Sequence, residues 1–399
     1  MIEKLELKNF TKFGNLTGEN AITFSPNITI IIGENGTGKT HLLKAAYFLA
    51  GAASLDQEVD VATRFESTVK QLEALFKPID GDLSRLVRRP LNGQRHAVLG
   101  ASFSAGGIQI KIPSKRGGTI SGGKTKSQML SGPPIFIPTK EVMSLVGGIS
   151  DPASDRATLV SLFDQTYFDL CALIARDPIA NEAKTIEYDP RFGNVYEKLA
   201  DAINGRFVFQ GGKVVFYPGE YQESFKGDPT ALLDEADPEK YAYSDTKTSQ
   251  FVVKTGEAVS AHMSAEGVRK LGVVQRLVLN KSLSPGISGP LIWDEPETNM
   301  NPKLLRQVVE VLIELSRNGQ QIVLATHDYV LLKWFDLLMD KKGKGDHVLF
   351  HTLYKDPATG EVKLESTDDY LAITPNAIAD TFNDLTKEQV RLKMGSLGK

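Results

Sequence analysis

A glycine-rich segment followed by a lysine and a threonine lies near the start of the chain. It reads Gly33-Glu-Asn-Gly-Thr-Gly-Lys39-Thr40 and fits the pattern G-x-x-x-x-G-K-S/T. Glycines let backbone N–H groups converge on phosphate oxygens, Lys39 supplies a cation, and Thr40 offers a hydroxyl to Mg²⁺. We therefore predict a phosphate-binding site, whose residues are Gly33, Asn35, Gly36, Gly38, Lys39, Thr40 and His41.

Two carboxylates and a histidine follow apolar runs later in the chain. Asp294 and Glu295 come directly after Leu291-Ile-Trp293, and His327 follows the run 321–325. Asp294 would join Thr40 as a metal ligand, while Glu295 would act on the attacking water as general base or orienting group. Because open parallel sheets bind ligands at the carboxyl ends of their strands, His327 would reach the terminal phosphate. The predicted catalytic residues are Lys39, Glu295 and His327.

The remaining histidines do not form a recognisable site. We interpret the imidazole side chains of the other five histidines as structural: His41, His96, His262, His347 and His351. His347 and His351 are four residues apart in a strand-like run, a spacing that does not favour a metal pair. The sequence therefore predicts no metal site other than the one for Mg²⁺.

The elements around these residues predict an α/β fold with a parallel sheet. The apolar run 27–32 reads as a buried strand before the glycine-rich turn, and helical spacing begins at Thr40. Strands at 291–293 and 321–325 alternate with helices at 265–280 and 302–317. We predict a head of a mixed sheet with helices, formed by residues 1–51 and 251–399, the latter ending in C-terminal helices.

A long insertion, residues 52–250, separates the two parts of this head and is predicted to be mainly helical. Its helices are expected at 56–76 and 157–175, and its strands at 96–103, 108–112 and 135–137. A loop is expected at 114–126, a hairpin at 206–217 and a surface connection at 219–250.

Composition places the chain among ordinary globular proteins. Hydrophobic residues make up 41% of its 399 residues, and the formal net charge is −3. Cys171 is the single cysteine, so an intrachain disulfide and a cysteine-based metal cluster are excluded, and a cytoplasmic location without a membrane span is expected. The window from Arg85 to Lys126 holds nine basic residues and no acidic one, which suggests a surface for an acidic protein or nucleic acid.

The order of these segments resembles the ABC-type ATPases of the RecF, SMC and OLD branch. The resemblance adds Ser264-Ala-Glu-Gly267 as the signature segment and residues 296–302 as the D-loop. It implies ATP and Mg²⁺ as cofactors, and a head-to-tail dimer in which Ser264, Glu266 and Gly267 cap the ATP of the opposite copy. Ser-Ala-Glu-Gly departs from the usual Ser-x-Gly, and Asn301 stands where many members have Asp. The glutamine of the Q-loop is not located, with Gln128 and the pair Lys140-Glu141 as alternatives.

No heptad pattern is long enough for a coiled-coil arm, which disfavours SMC and Rad50 proteins. Only 72 residues follow His327, which are too few for the toprim nuclease domain of OLD proteins. Two runs, Phe136 to Glu141 and Ala265 to Gly272, are similar to the ATPase subunits of PARIS anti-phage systems, the AriA family. This resemblance implies a homo-oligomer of ATP-sandwich dimers, a hexamer among the options. It also implies a toprim nuclease effector that cleaves tRNA and an acidic, DNA-mimicking phage protein as trigger. The alternative is a RecF-like DNA-binding repair ATPase.

Overall fold

The computed structural model describes residues 1–54, 61–88, 96–124, 129–176, 185–187, 191–192, 194–225, 247–253 and 258–396. Strands are numbered in chain order: β1 Ile2–Phe10, β2 Phe13–Leu16, β3 Ile22–Thr23, β4 Ile28–Gly33, β5 His96–Phe103, β6 Gly106–Pro113, β7 Ser121–Lys124, β8 Ile135–Ile137, β9 Thr185–Glu187, β10 Gly205–Gln210, β11 Lys213–Phe225, β12 Lys247–Val253, β13 Val259–Ser260, β14 Leu291–Asp294, β15 Ile322–Thr326, β16 Val348–Lys355 and β17 Val362–Thr367.

The helices are numbered in the same way: α1 Lys39–Ser54, α2 Val61–Phe76, α3 Val146–Ser150, α4 Arg156–Leu162, α5 Gln165–Ile174, α6 Val195–Ile203, α7 Glu266–Leu279, α8 Pro302–Arg317, α9 Tyr329–Leu338 and α10 Ala377–Ser396. None of these described helices is alone long and apolar enough to cross a membrane. Only α4 and α5 taken together meet the length and composition criteria, and they are bent by 115°.

A large mixed sheet forms the centre of the molecule. Its described strands lie in the order β7-β6-β5-β1-β2-β17-β16-β4-β15-β14-β8, and β3 pairs with β1. The run β16-β4-β15-β14-β8 is parallel, whereas β1, β2, β5, β6 and β7 pair with one another in antiparallel fashion. The predicted α/β fold with a mixed sheet is thereby confirmed.

Both faces of the parallel part are covered, as the continuous apolar run of β4 predicts. Ile30 and Ile32 belong to a core cluster that includes residues of α7, α8 and α9. Ile31 points to the opposite face and belongs to a second cluster with α1 and the antiparallel strands. This two-sided burial follows from the alternation of side chains along a strand.

The parallel register brings the carboxyl ends of the central strands to one edge. Asp294 at the end of β14 is opposite Ala325 of β15, and Thr326 is opposite Ile32 of β4. On the far side of β14, Trp293 is opposite Ile137. The phosphate-binding loop, Asp294, Glu295 and His327 therefore leave the sheet at the same edge.

The prediction of a mainly helical insertion needs correction. Residues 52–250 contain β5 to β12 as well as α2 to α6. Of these strands, β5, β6 and β7 extend the antiparallel part of the main sheet, and β8 joins its parallel edge. The strands β9 to β12, with β13, form a second sheet. Short strands of this kind gain stability from pairing partners distant in sequence, so their number was underestimated from local pattern.

Two smaller predictions in this segment also change. The expected helix at 157–175 is two helices, because Asp155 and Asp164 each cap a helix start by accepting a backbone N–H bond. The expected loop at 114–126 contains β7, which pairs with β6. The hairpin at 206–217 is confirmed, with its turn at Gly211 and Gly212. Residues 226–246 of the expected surface connection lie outside the described residues.

Candidate active site

The phosphate-binding loop connects β4 to α1, the predicted strand-to-helix context. Gly33 has φ +155°, and a Cβ atom there would lie 2.4 Å from the carbonyl oxygen of Leu353 on β16. Gly38 has φ +101°, and its Cβ would lie 3.0 Å from the buried ring of Phe13. These glycines are required by backbone conformation and by close packing. They leave the N–H groups at the start of α1 directed to one place, where a phosphate is favoured.

The Lys39 ammonium lies inside this loop. Its Nζ donates to the carbonyl oxygens of Gly33 at 2.6 Å and Glu34 at 3.3 Å, and the side chain is 6% exposed. Burial lowers the pKa of Lys39 from its ordinary value, and the carboxylates of Glu295, Asp294 and Glu297 oppose that shift. A cation held only by loop carbonyls and nearby carboxylates is suited to an anionic phosphate.

Asp294 and two hydroxyl groups form a cluster that fits Mg²⁺. Thr40 Oγ1 donates to Asp294 Oδ2 at 2.8 Å, and Thr139 Oγ1 donates to the same oxygen at 3.2 Å. The other oxygen, Oδ1, is buried and has no hydrogen-bond partner among the described residues. Burial raises the pKa of Asp294, although the hydrogen bond from Thr40 opposes the shift. A buried carboxylate beside hydroxyls is a ligand set of the hard oxygen type that Mg²⁺ uses.

Thr139 was not among the sequence-predicted site residues. It follows β8, the strand next to β14, and only the parallel pairing of these two strands reveals its place beside Asp294. The next residues continue this contact toward α7, because Glu141 pairs with Arg269 at 2.9 Å. Lys140-Glu141, one alternative for the Q-loop, thus lies in a segment that joins Asp294 to α7, the helix that begins with the predicted signature residues. Gln128, the other alternative, lies outside the described residues.

Glu295 and His327 are brought together at the edge of the sheet. His327 Nδ1 is 3.3 Å from Glu295 Oε1, and its side chain is 47% exposed. Glu295 has φ +49°, a left-handed conformation that is strained for a residue with a side chain. The pair therefore presents a carboxylate and an imidazole beside the phosphate-binding loop.

A second carboxylate holds His327 from the protein side. Glu297 Oε1 accepts from Thr326 Oγ1 at 2.8 Å and from the backbone N–H of His327 at 3.0 Å, and it is 3.5 Å from His327 Nδ1. Burial raises the pKa of Glu297. From sequence, Glu297 was assigned only to a loop, since its contact with residues 29 and 30 positions later depends on the β14–β15 pairing.

The predicted signature residues lie at the start of α7. Ser264 Oγ donates to the carbonyl of Ala261 at 2.7 Å, and Glu266 accepts from Asn299 of the predicted D-loop at 2.9 Å. Gly267 faces that loop so closely that a Cβ would lie 3.3 Å from the Cα of Met300. Among the described residues, neither Ser264 nor Glu266 makes a side-chain hydrogen bond or ion pair with the loop at 33–40 of the same chain.

Lys270 of α7 lies close to the segment that follows β14. It is 2% exposed, and its Nζ lies 3.5 Å from the carbonyl oxygen of Glu295. Burial lowers the pKa of Lys270, opposed chiefly by Glu266 and Glu297. This buried cation therefore lies among the carboxylates that flank the site.

His41, Asn35 and Gly36 were also predicted to belong to the phosphate-binding site. The His41 ring packs edge-on against Phe76, with 5.9 Å between centroids, and burial lowers its pKa. That position supports the structural interpretation of its imidazole. Asn35 and Gly36 are exposed at the tip of the loop.

The basic window is less uniformly positive in three dimensions than in sequence. Arg88 pairs with Glu361 at 2.8 Å, and Arg85 lies 3.9 Å from Asp82. Lys115 and Arg116 line a cavity of about 290 Å³ together with Glu73, Asp80 and Asp82. Arg89, Arg95 and Lys126 lie outside the described residues. Acidic residues that are distant in sequence therefore offset part of the positive charge.

Comparison with known proteins gives two family matches, and each of them extends into one end of the insertion at 52–250. Residues 4–77 match a family described as "AAA domain". Residues 198–333 match a family described as "AAA domain, putative AbiEii toxin, Type IV TA system". The first match contains the phosphate-binding loop, and the second contains the signature residues, Asp294, Glu295 and His327.

Curated relatives are RecF proteins. The DNA replication and repair protein RecF of Halalkalibacterium halodurans is 36% identical over 103 residues, which are 25% of this chain and 26% of that protein. RecF of Streptococcus uberis is 37% identical over 84 residues, covering 21% and 22% of the two chains. The matched part thus spans about a quarter of the length of these relatives.

Among solved structures, an SMC head bound to the C-winged helix domain of ScpA superposes with a TM-score of 0.47 and 15% identity, covering 92% of this chain and 97% of that one. The SMC head domain from Thermotoga maritima gives 0.46 and 12%, covering 92% and 99%. The chain is thus similar to AAA-domain families in two segments and to RecF proteins over about a quarter of its length.

Proposed function

We propose that this protein hydrolyses Mg·ATP and uses the nucleotide cycle as a switch in anti-phage defence. The observation that carries the catalytic part is the contact of Thr40 with Asp294 at 2.8 Å, with Asp294 Oδ1 left free in a buried site. It joins the phosphate-binding loop to the carboxylate that follows β14. Mg²⁺, when bound, would neutralise charge on the phosphates.

The protein's own groups have separate tasks in this proposal. Lys39 and the N–H groups at the start of α1 bind and orient the phosphates. Glu295 accepts a proton from the attacking water or orients that water, and His327 positions the terminal phosphate. Glu297 holds His327 through its backbone N–H.

A second copy of the chain would complete this site. His327 is half exposed, and Thr40 and the tip of the loop at 34–36 are exposed. Ser264, Glu266 and Gly267 would then cap the ATP of the other copy, as the resemblance to ABC-type ATPases implies. The homo-oligomer would be built from such ATP-sandwich dimers.

The switch part rests on sequence resemblance. The description of the family that matches residues 198–333 includes a toxin of a toxin–antitoxin system, which favours a role in defence. Within that role, the resemblance to PARIS ATPase subunits supports a toprim nuclease as effector, with tRNA as its substrate, and an acidic phage protein as trigger. ATP turnover would then release the nuclease when the trigger is bound.

Two variants test the catalytic assignment. Lys39→Ala should abolish ATP binding, whereas Glu295→Gln should bind ATP and lower turnover by about 100-fold or more. Phosphate release gives the rate, and sedimentation with Mg·ATP shows whether Glu295→Gln accumulates as a dimer. Wild-type turnover in both variants would exclude this site.

A pull-down from cells that carry the native operon tests the switch. A soluble nuclease should copurify with Glu295→Gln and remain bound when an acidic phage protein is expressed, while it should leave the wild type. Recovery of duplex DNA without a protein partner would instead support the second candidate, a RecF-like repair ATPase. That candidate is favoured by the RecF alignments.

A further inference from the structure

The C-terminal helix α10 extends from the head with an exposed apolar stripe. Its start is anchored, because Asn376 caps it, Ile378 packs on the core, and the Phe382 ring stacks on Tyr329 with 4.3 Å between centroids. Beyond Phe382, every described side chain of the helix is exposed. Leu385 is 61% exposed and Leu392 is 64% exposed. A single helix of this length is marginal in water unless an apolar face is covered.

The stripe follows a heptad spacing. Ile378, Phe382, Leu385, Gln389 and Leu392 are separated by steps of four, three, four and three residues. These are the a and d positions of a coiled coil, with Phe382 and Gln389 at a and Leu385 and Leu392 at d. A polar residue at one a position fixes register, since it is satisfied best by the same residue of an identical partner helix. The pattern is therefore suited to pairing with itself.

The charges beside the stripe select a direction for this pairing. Glu388 occupies a g position and Lys393 the e position five residues later. In a parallel pair, g of one helix faces this e of the other, so two Glu388–Lys393 contacts form between copies. An antiparallel pair would bring like charges together. In the single chain, Glu388 is paired with Arg391 at the surface. The two side chains are 52% and 76% exposed, respectively, so the contact contributes little energy.

We propose that α10 is a self-association surface and that two copies of the chain pair through parallel α10 helices. The contact is short, with two leucines from each copy beyond Phe382. It is effective between copies that another contact already holds together, because tethering raises the local concentration. In this respect the inference rests on the ATP-dependent association proposed above.

Disulfide trapping tests the pairing directly. Cys171 is 1% exposed and burial raises the pKa of its thiol to about 12, so engineered cysteines will dominate the reaction. Leu385→Cys and Leu392→Cys should each form disulfide-linked dimers in the full-length protein with Mg·ATP, since a parallel pair places identical d residues opposite each other. Lys387→Cys, on the outer face at position f, should not. Absence of linked dimers at 385 and 392, or equal linking at 387, would overturn the proposal.

Charge exchange identifies the partner as a second copy. In the Leu385→Cys background, Glu388→Lys should lower the linked fraction about twofold, and adding Lys393→Glu should restore it. Asp384→Lys makes the same change of charge at position c and should leave the fraction unchanged. A fraction that Glu388→Lys leaves unaltered, or that the double exchange fails to restore, would contradict parallel self-pairing.

Sedimentation of the same samples separates the two proposals. Loss of ATP-dependent association in the wild type would count against the proposed function. Normal ATP-dependent association without disulfide linking at positions 385 and 392 would count only against the proposed pairing of α10 helices.

Discussion

The two carboxylate oxygens of Asp294 have different surroundings. One carboxylate oxygen accepts from two hydroxyls, those of Thr40 and Thr139, and the other is left buried without a partner among the described residues. An orphaned buried carboxylate oxygen is costly unless a ligand satisfies it. The free oxygen therefore supports the Mg²⁺ site proposed above, in which Thr139, a residue that the sequence did not reveal, would orient the ligand.

Thr139→Ala should raise the Mg²⁺ concentration for half-maximal ATPase activity by about tenfold, the size expected when a group that orients a metal ligand is lost. A titration of activity with Mg²⁺ measures it. Thr139→Ser retains the hydroxyl and serves as the control, with a wild-type requirement. If Thr139→Ala and Thr139→Ser titrate identically, the hydroxyl does not act on Asp294.

Glu297→Ala should lower kcat by about 10- to 100-fold with little change in ATP binding, since the backbone of His327 would lose its carboxylate acceptor and a small displacement is costly for catalysis. Nucleotide titration separates binding from turnover. Glu297→Gln keeps an acceptor oxygen and should recover most of the rate. Weakened ATP binding in Glu297→Ala, with kcat intact, would refute this positioning role.

At the scale of elements, polar contacts connect the three helices α1, α5 and α7. Lys44 of α1 donates to Asp164 at the start of α5 at 2.7 Å. Arg276 of α7 donates to the carbonyls of Ile174 and Arg176 at the end of α5, at 2.9 and 2.8 Å. Helix α5, which lies within the insertion, thus connects the helix after the phosphate-binding loop to the signature helix.

Lys44→Met should lower the free energy of unfolding by about 1–2 kcal/mol, between the values for exposed and buried pairs, because both partners are about one-seventh exposed. Thermal unfolding gives the measurement. The matched control is Lys387→Met, which removes an equivalent pair with Asp384 in which both side chains are 76% exposed. The unfolding midpoint of Lys387→Met should match that of the wild type. An equal loss of stability in the two variants would show that the α1–α5 ion pair stabilises the fold no more than an exposed pair does.

The parts of the site that could be predicted from sequence are those coded by contiguous residues. Gly33 to Thr40 and Leu291 to Glu295 each combine a buried strand with the residues that follow it, so strand, turn and chemistry are read from one segment. Thr139 and Glu297 depend on which strands are neighbours, and strand order is not a local property. The strand β7 was missed for the same reason, because Ser121 to Lys124 has two glycines and lacks the apolar alternation of a strand.

At the scale of the whole molecule, charge and association surfaces decide which partners can bind. The exposed basic side chains of β6 and the following loop are Lys111, Lys115 and Arg116. Two of these share a cavity with acidic residues, a mixture that disfavours a continuous track for a nucleic acid backbone. An acidic protein can match a mixed surface by local complementarity, and its association would be weakened by salt.

The triple variant Lys111→Gln, Lys115→Gln, Arg116→Gln should reduce capture of an acidic phage trigger and leave basal ATPase activity unchanged. These residues lie outside the catalytic cluster, so only association should respond. If duplex DNA were the ligand of this surface, the slope of log K against log salt would fall by about 2.7 in the variant, since each neutralised phosphate contributes about 0.9. Titrations of labelled duplex and of a purified acidic trigger at several salt concentrations distinguish the two ligands. An altered DNA slope with unchanged trigger capture would reject the defence proposal for this surface in favour of the repair ATPase.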